Sequence, residues 1–287
     1  MSLLSSLTLP APAKLNLFLH IIGRRADGYH ELQTVFQFVD LCDELSFRST
    51  ANAEIVLTGD CGGVDTTNNL VHQAARSLQQ AARCNQGAEI NLKKIIPMGA
   101  GLGGGSSDAA TTLLALNCLW QTDLSLEALT QLGVNLGADV PVFVRGHAAW
   151  AEGIGDRLTN IEPPAPCYLI IQPDCSISTV EIFCHEELTR HTTPIKIAGF
   201  LGQPSQCRND CLAVVQKLYP EVETAMHWLD KFAVARLTGT GACIFAEFAS
   251  ENAATQVLEQ LPAHWRGFVA RGLNVSPTHS QLPEYKY

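Results

Sequence analysis

Between Pro97 and Asp108 the chain reads Pro-Met-Gly-Ala-Gly-Leu-Gly-Gly-Gly-Ser-Ser-Asp, with Gly99, Gly101, Gly103, Gly104 and Gly105 falling within seven positions. Glycine reaches positive φ without strain and has no Cβ to keep an anion from the backbone. The apolar run after the loop, residues 109–119, is rich in Ala and Leu and is expected to be helical. A helix there would offer its unpaired N–H groups and the positive end of its dipole to a phosphate. Ser106 and Ser107 add hydroxyl donors at the same entrance. Asp108 would repel a polyphosphate unless it faces away as a cap or approaches a Mg²⁺ ion.

Three alternatives compete with a phosphate cradle. A loop that is merely a tight turn would lose conformational entropy at five glycines for no structural return. A Walker P-loop ends in Gly-Lys-Ser/Thr, and no Lys occurs between Lys94 and Lys196. Residues 99–104 satisfy G-x-G-x-x-G, and Asp123 lies where a ribose-binding acid would stand. Pro97, the paired serines and the hairpin-like segments upstream weaken that dinucleotide reading.

The elements that must hold this loop are legible in outline. Leu15, Leu17, Leu19 and Ile21 alternate, the period of a strand, and residues 33–38 read as its return after a turn at 24–30. Residues 54–57 read as a further strand, leading into a glycine-rich turn at 59–63. Leu70, Ala74, Ala75, Leu78 and Ala82 recur at helical spacing after Asn69. Residues 89–96 read as the strand entering the loop. Residues 125–136 form a second helix capped by Ser125 with Glu127 in its first turn, and residues 142–150 a strand. Pro163, Pro164 and Pro166 interrupt regular structure, so a boundary is expected near Gly155, giving domains at 1–155 and 156–287. The second half carries an apolar run at 167–172, a helix at 214–229 and strands at 233–237 and 242–248. Helices and strands mix without a βαβ rhythm, which predicts an α+β fold.

Bulk properties narrow the classes. At 287 residues two domains are a fair expectation, and the chain needs no disulfide or metal staple. A net charge of −9 argues against nucleic-acid binding, so an anionic ligand must be met by local devices. No stretch is long and apolar enough to span a bilayer, and the first residues lack the pattern of a signal peptide. The ten cysteines contain no C-x-x-C and no zinc-site spacing. They read as reduced thiols of a cytoplasmic protein, with no resident metal site. Nothing in the sequence specifies an oligomeric state.

The loop resembles the second motif of the GHMP kinases. Ala11-Pro12-Ala13-Lys14-Leu15-Asn16-Leu17 resembles their first motif, and Leu237-Thr238-Gly239-Thr240-Gly241-Ala242-Cys243 their third. The resemblance spans residues 12–277. It implies two domains with the active site in the cleft between them, an ATP-binding N-terminal one and a substrate-binding C-terminal one. Residues 25–34 and 136–143 narrow it to the branch acting on a small molecule with a cytidine diphosphate group, in the non-mevalonate route to isoprenoid precursors. The implied reaction moves the γ-phosphoryl group of ATP, accompanied by Mg²⁺, to the tertiary 2-hydroxyl of that methylerythritol compound. A homoserine- or mevalonate-type GHMP kinase is the alternative.

Site residues follow from the same resemblance. Asp139 is implied as the base; read alone, an aspartate just before Val140-Pro141 is more often a cap or turn residue. Lys14, costly to bury among apolar neighbours without an anionic partner, is implied to stabilise the developing alkoxide. Asn16 would bind the substrate. Asn69, Leu70, Lys94, Pro97 and Met98, with Gly99, Ala100, Gly101, Leu102, Gly103, Gly104, Gly105, Ser106 and Ser107, are implied to bind ATP. Tyr29 and His30 resemble a cytosine-binding pair, with Thr179 and Phe183 on the opposite side; Phe183 alone would read as core. Val180 stands where the family often carries Pro. Gly239 and Gly241 either clear the backbone for the substrate phosphates or pack the hinge against the first loop.

Overall fold

The computed structural model describes residues 5–61 and 63–282. Gly62, within the turn expected at 59–63, and residues 1–4 and 283–287 lie outside the described residues. The chain opens with a long hairpin of β1 (Ser6–Arg24) and β2 (His30–Thr50). Arg25 N donates to Tyr29 O at 2.7 Å to close its turn, and Gly28 supplies the positive φ the turn requires. Then come β3 (Ile55–Gly59), α1 (Leu70–Ala81) and β4 (Gly87–Lys93), the last pairing with β2. Asn69 caps α1 by accepting from Val71 N. The glycine loop leads into α2 (Gly104–Leu119), then α3 (Leu126–Leu136), where Ser125 caps as expected, and α4 (Val140–Arg145).

β5 (Ala149–Gly153) and β6 (Arg157–Asn160) return the chain to β2. The second half begins with β7 (Cys167–Gln172), α5 (Thr179–Cys184) and α6 (Ile197–Gly202). It continues through α7 (Leu212–Leu218), α8 (Pro220–Leu229), the short β8 (Arg236–Leu237) and β9 (Ile244–Phe248). It ends with α9 (Glu251–Leu258), β10 (Arg266–Leu273) and α10 (Pro277–Gln281). The strands join one mixed sheet whose path runs β3-β4-β2-β10-β7-β9-β8. Among the strands of the described residues only β3 and β4 pair in parallel, so the fold is α+β.

Three apolar clusters fill the molecule. The first packs α1 to α4 on β1, β2 and β4, and the second packs α7, α8 and α9 on β7 and β9. The third lies between them and unites Ala13, Leu15 and Phe18 with Tyr168, Phe245 and the loop residues Ala100 and Leu102. β1 threads all three: Leu9 and Ala11 belong to the first, Ala13 and Leu15 to the third, Leu19 and Ile21 to the second. Each large apolar side chain so buried contributes about 1.5–3 kcal/mol. Because strand residues alternate, Lys14 and Asn16 point the other way, into a cleft at the join.

Several expected boundaries move. Residues 142–150, expected as a strand, split between α4 and β5. Pro141 sits in the first turn of α4, where its missing N–H costs nothing, and Gly146 ends it at φ 70°. Val140 and Val144 then stack one turn apart against Gly133 of α3. The helix expected at 214–229 breaks at Tyr219, since Pro220 cannot donate to the preceding turn. The helix after the glycine loop starts five residues earlier than residue 109, at Gly104, so Ser106, Ser107 and Asp108 belong to it. The strand expected at 89–96 stops at Lys93, because Asp43 Oδ1 accepts the amides of Ile95 and Ile96 and bends the chain out of the sheet. The strands expected at 233–237 and 242–248 shorten to Arg236–Leu237 and Ile244–Phe248, with residues 238–243 turning between them. All ten cysteines are free, and no helix among the described residues is long and apolar enough to cross a membrane.

Candidate active site

The cleft at the join has a volume of about 590 Å³, within the usual range for a small-molecule site. β1 supplies Lys14 and Asn16 to its floor. Lys14 N donates to Leu102 O at 3.0 Å, which ties the strand to the glycine loop. The buried ammonium donates to Asn16 Oδ1 and to Gly101 O (3.0 Å), and stands 3.3 Å from Asp139 Oδ2. Asp139 occupies the position before α4 where a cap would be, yet its side chain caps nothing and faces Lys14. It keeps 33% of its side chain exposed to the cleft, so the lysine is buried and the carboxylate remains reachable.

Asn16 is fixed on three sides. Its amide nitrogen donates to Thr34 Oγ1 (2.9 Å), its backbone N–H donates to Thr238 Oγ1 (3.0 Å), and its carbonyl oxygen receives Lys14. Thr238 also donates to Gly101 O at 3.3 Å, so the third motif touches the glycine loop directly. A Cβ on Gly101, which sits at φ +78°, would lie 2.3 Å from Thr238 O. A Cβ on Gly103, at φ +71°, would press on the Lys14 and Phe143 side chains. These two glycines are needed for the approach of backbone to backbone and of lysine to loop, in addition to any clearance for a ligand.

Lys94 forms a second charged centre at the other side of the loop. Its ammonium donates to Asp43 Oδ2 at 2.5 Å and to Asp108 Oδ2 at 2.8 Å. Burial works against the Lys94 cation, but Asp108 and Asp43 outweigh it and raise its pKa. Burial likewise pushes the Asp108 carboxyl up, to about 7; Lys94 opposes that shift and Asp43 adds to it. One ammonium serves two carboxylates, and burial leaves Asp108 easier to protonate than an ordinary carboxyl. Among the described residues its Oδ1 has no hydrogen-bond partner.

Most residues expected at the site converge here. Asn69, Leu70, Pro97, Met98, Gly99, Ala100, Gly104, Gly105 and Ser106 line the cleft with Lys94, as do Thr179, Phe183 and Gly239 from the second half. Others do not. Leu102 and Ser107 are buried, Leu102 within the central cluster. Gly241 packs against Ile177 and Leu237, while Gly239 faces Asn16 and Gly101. Tyr29 is 61% exposed on the hairpin turn. His30 is buried, with the Phe183 ring stacked on it at 5.2 Å and 24°. Burial, then the charges of Arg190 and Arg24, lowers the His30 pKa. Sequence reasoning misses Asp43, Thr34, Thr238 and Arg190. Thr34 and Thr238 do lie inside segments that carry the resemblance; Asp43 and Arg190 lie in none.

Comparison with known proteins agrees with this architecture. Residues 69–147 match the GHMP kinases N-terminal domain and residues 196–267 the GHMP kinases C-terminal domain. A 4-diphosphocytidyl-2-C-methyl-D-erythritol kinase of Chromohalobacter salexigens is 54% identical over 280 residues, covering 96% of this chain and 94% of that protein. The chain belongs to the GHMP kinases. A second relative of the same name, from Marinobacter nauticus, is 53% identical to this GHMP kinase over 287 residues, 99% of this chain and 100% of the relative. Among solved structures, a 4-(cytidine 5'-diphospho)-2C-methyl-D-erythritol kinase superposes with a TM-score of 0.82 at 30% identity, covering 93% of this chain and 99% of that one. A homoserine kinase from Cytophaga hutchinsonii gives 0.67 at 18% identity over 96% and 98% of the two chains, a likeness of fold alone. As a GHMP kinase the protein takes ATP as its phosphoryl donor and a small molecule as acceptor.

Proposed function

We propose that this kinase transfers the γ-phosphoryl group of ATP to the 2-hydroxyl of 4-diphosphocytidyl-2-C-methyl-D-erythritol, giving the 2-phosphate and ADP in the methylerythritol phosphate route to isoprenoid precursors. The acceptor follows from the names of the full-length relatives. The chemistry rests on the pairing of Lys14 with Asp139 beside the Gly101 carbonyl, at the floor of the cleft.

Phosphoryl transfer asks a protein mainly for positioning and charge neutralisation. In our reading the glycine loop and the first turn of α2 receive the ATP phosphates through backbone N–H groups. Asn69, Leu70, Lys94, Pro97 and Met98 form the adenine end. Asp139 accepts the proton of the acceptor hydroxyl as the new P–O bond forms, and Lys14 stabilises the oxygen as it becomes negative. Asn16, clamped by Thr34 and Thr238, orients that hydroxyl. Mg²⁺ would be held chiefly by the nucleotide phosphates, with Ser106, Asp108 and Asp139 among the oxygen-bearing side chains that line the cleft. Bound there, it neutralises charge on the transferring group. No cluster of three His, Cys, Asp or Glu side chains is placed to hold a metal among the described residues.

The test is a coupled ADP-release assay with the purified protein. The cytidine diphosphate compound should stimulate turnover, while homoserine and mevalonate should not. Comparable efficiency with either of the latter would overturn the acceptor assignment.

A further inference from the structure

Arg190 lies between α5 and α6, 160 residues from His30 in sequence, yet its guanidinium is joined to that ring. Nε donates to His30 Nε2 at 3.1 Å. Nη1 donates to the carbonyls of Leu188 (3.2 Å) and Glu186 (3.4 Å), and Nη2 to those of His185 (2.7 Å) and Phe183 (3.1 Å). The four carbonyl contacts hold the end of α5 and are a sufficient structural reason for an arginine. The His30 contact is the one that this role does not need.

That contact decides the chemistry of the ring. A guanidinium can only donate, so His30 Nε2 must accept. A neutral imidazole has one donor and one acceptor nitrogen, and its single proton is therefore on Nδ1. Burial and the charges of Arg190 and Arg24 disfavour a second proton. Nδ1 makes no hydrogen bond among the described residues. The same guanidinium anchors the backbone of Phe183, whose ring stacks on His30 and lines the cleft.

We propose that Arg190 is a specificity-determining positioning residue: by occupying His30 Nε2 it makes the free edge of the imidazole a hydrogen-bond donor, which fits a pyrimidine presenting acceptors at O2 and N3. That pyrimidine is cytosine. Uracil carries hydrogen on N3, where two donors would meet and the site's own donor would go unpaired. The inference rests on the reading of the acceptor as a cytidine diphosphate compound, but its first test needs no acceptor.

Two-bond ¹H–¹⁵N correlations of the imidazoles in the full-length protein, assigned with His30→Gln, report which nitrogen carries the proton. At neutral pH His30 should show hydrogen on Nδ1 alone. An Nε2–H tautomer or a doubly protonated ring overturns the proposal, whatever the acceptor proves to be. Arg190→Lys keeps the charge and loses the fork, and it should give a mixture of tautomers. Its KM for the cytidine compound should rise about tenfold to a hundredfold, the worth of one charge-assisted hydrogen bond. Meanwhile kcat and the KM for ATP should change by less than about threefold. Preference over the uridine diphosphate analogue should fall with it. If preference is unchanged, or kcat falls while both KM values rise together, Arg190 serves only the loop and the proposal fails.

Discussion

At the scale of single residues, Asp139 carries the sharpest expectation. Its carboxylate stands 3.3 Å from a buried ammonium and keeps its remaining surface toward the cleft. Asp139→Asn preserves shape and removes the proton acceptor. Steady-state kinetics should show kcat lower by about 10²–10⁴, the usual worth of a positioned base, with the KM for ATP little changed. A loss under about tenfold would reduce Asp139 to an orienting role, which a loose transition state permits. Lys14 and Asp139 can be picked out because each sits in a motif of its own, although only the fold puts them in contact. Asp43 cannot: it is one acid in a strand, and its importance comes from meeting Lys94 and two amides across 51 to 53 positions. Arg190 is illegible for the same reason. Side chains that act through another residue leave no local spacing to read.

At the scale of elements, the glycine loop is a joint between the two halves as well as a phosphate cradle. Gly101 accepts Lys14 and Thr238 on its carbonyl, and its Cα faces the Thr238 carbonyl too closely for any Cβ. Gly101→Ala must either strain a positive φ or push the third motif away. The φ strain alone costs about 1–3 kcal/mol. Displacement of Lys14 should also lower kcat/KM by about 10² or more, since a misplacement of 1 Å can cost that much. Gly199→Ala in α6, where nothing lies within 4 Å, is the control, and thermal unfolding should find it unchanged or slightly more stable. Elements with strong period or a cap, such as α1 and α3, are legible as they stand. α4 is not, because Val140, Val142 and Val144 alternate like a strand over a helix of six residues. Only the proline at its start and Gly146 at its end mark it as helical, and so short a helix gives no second turn to decide the period. β10 is hard to read because Gly267 and Gly272 interrupt its apolar residues, whereas α9 carries the same signal as α3, a Ser250 cap with Glu251 in the first turn.

At the scale of the whole molecule, the chain end returns to the first half. After β10, Ser276 N donates to Gly146 O at 2.9 Å and Thr278 Oγ1 to Pro10 O at 2.7 Å, so α10 closes over β1 and α4. His279 is the bolt of that closure: Nε2 stands 2.9 Å from Val144 O, and the ring packs where Gly146 has no Cβ. A carbonyl can only accept, so Nε2 carries the proton, and Nδ1 is bare, buried and without a hydrogen-bond partner among the described residues. Burial therefore lowers the His279 pKa; the Val144 contact opposes that shift and nearby His147 adds to it. With the folded pKa below the unfolded value of about 6.5, the unfolded chain binds more protons as pH drops. The contribution of His279 is complete above that value and is lost as pH falls through the folded pKa. Asp108 has the opposite sign. Its carboxyl is raised to about 7, so stability falls as pH rises from the ordinary carboxylate value toward neutrality. The raw stability profile sums both, along with His20, His30 and His72, which are also lowered by burial. The measurement must therefore be a difference. Urea unfolding of the parent and of His279→Gln, at neutral pH and about pH 5, should show the variant losing less stability on acidification, by about 1.4 kcal/mol for each unit by which the His279 pKa is depressed. Equal losses would mean that the C-terminal closure survives protonation, and that the ring finds water or a partner once charged.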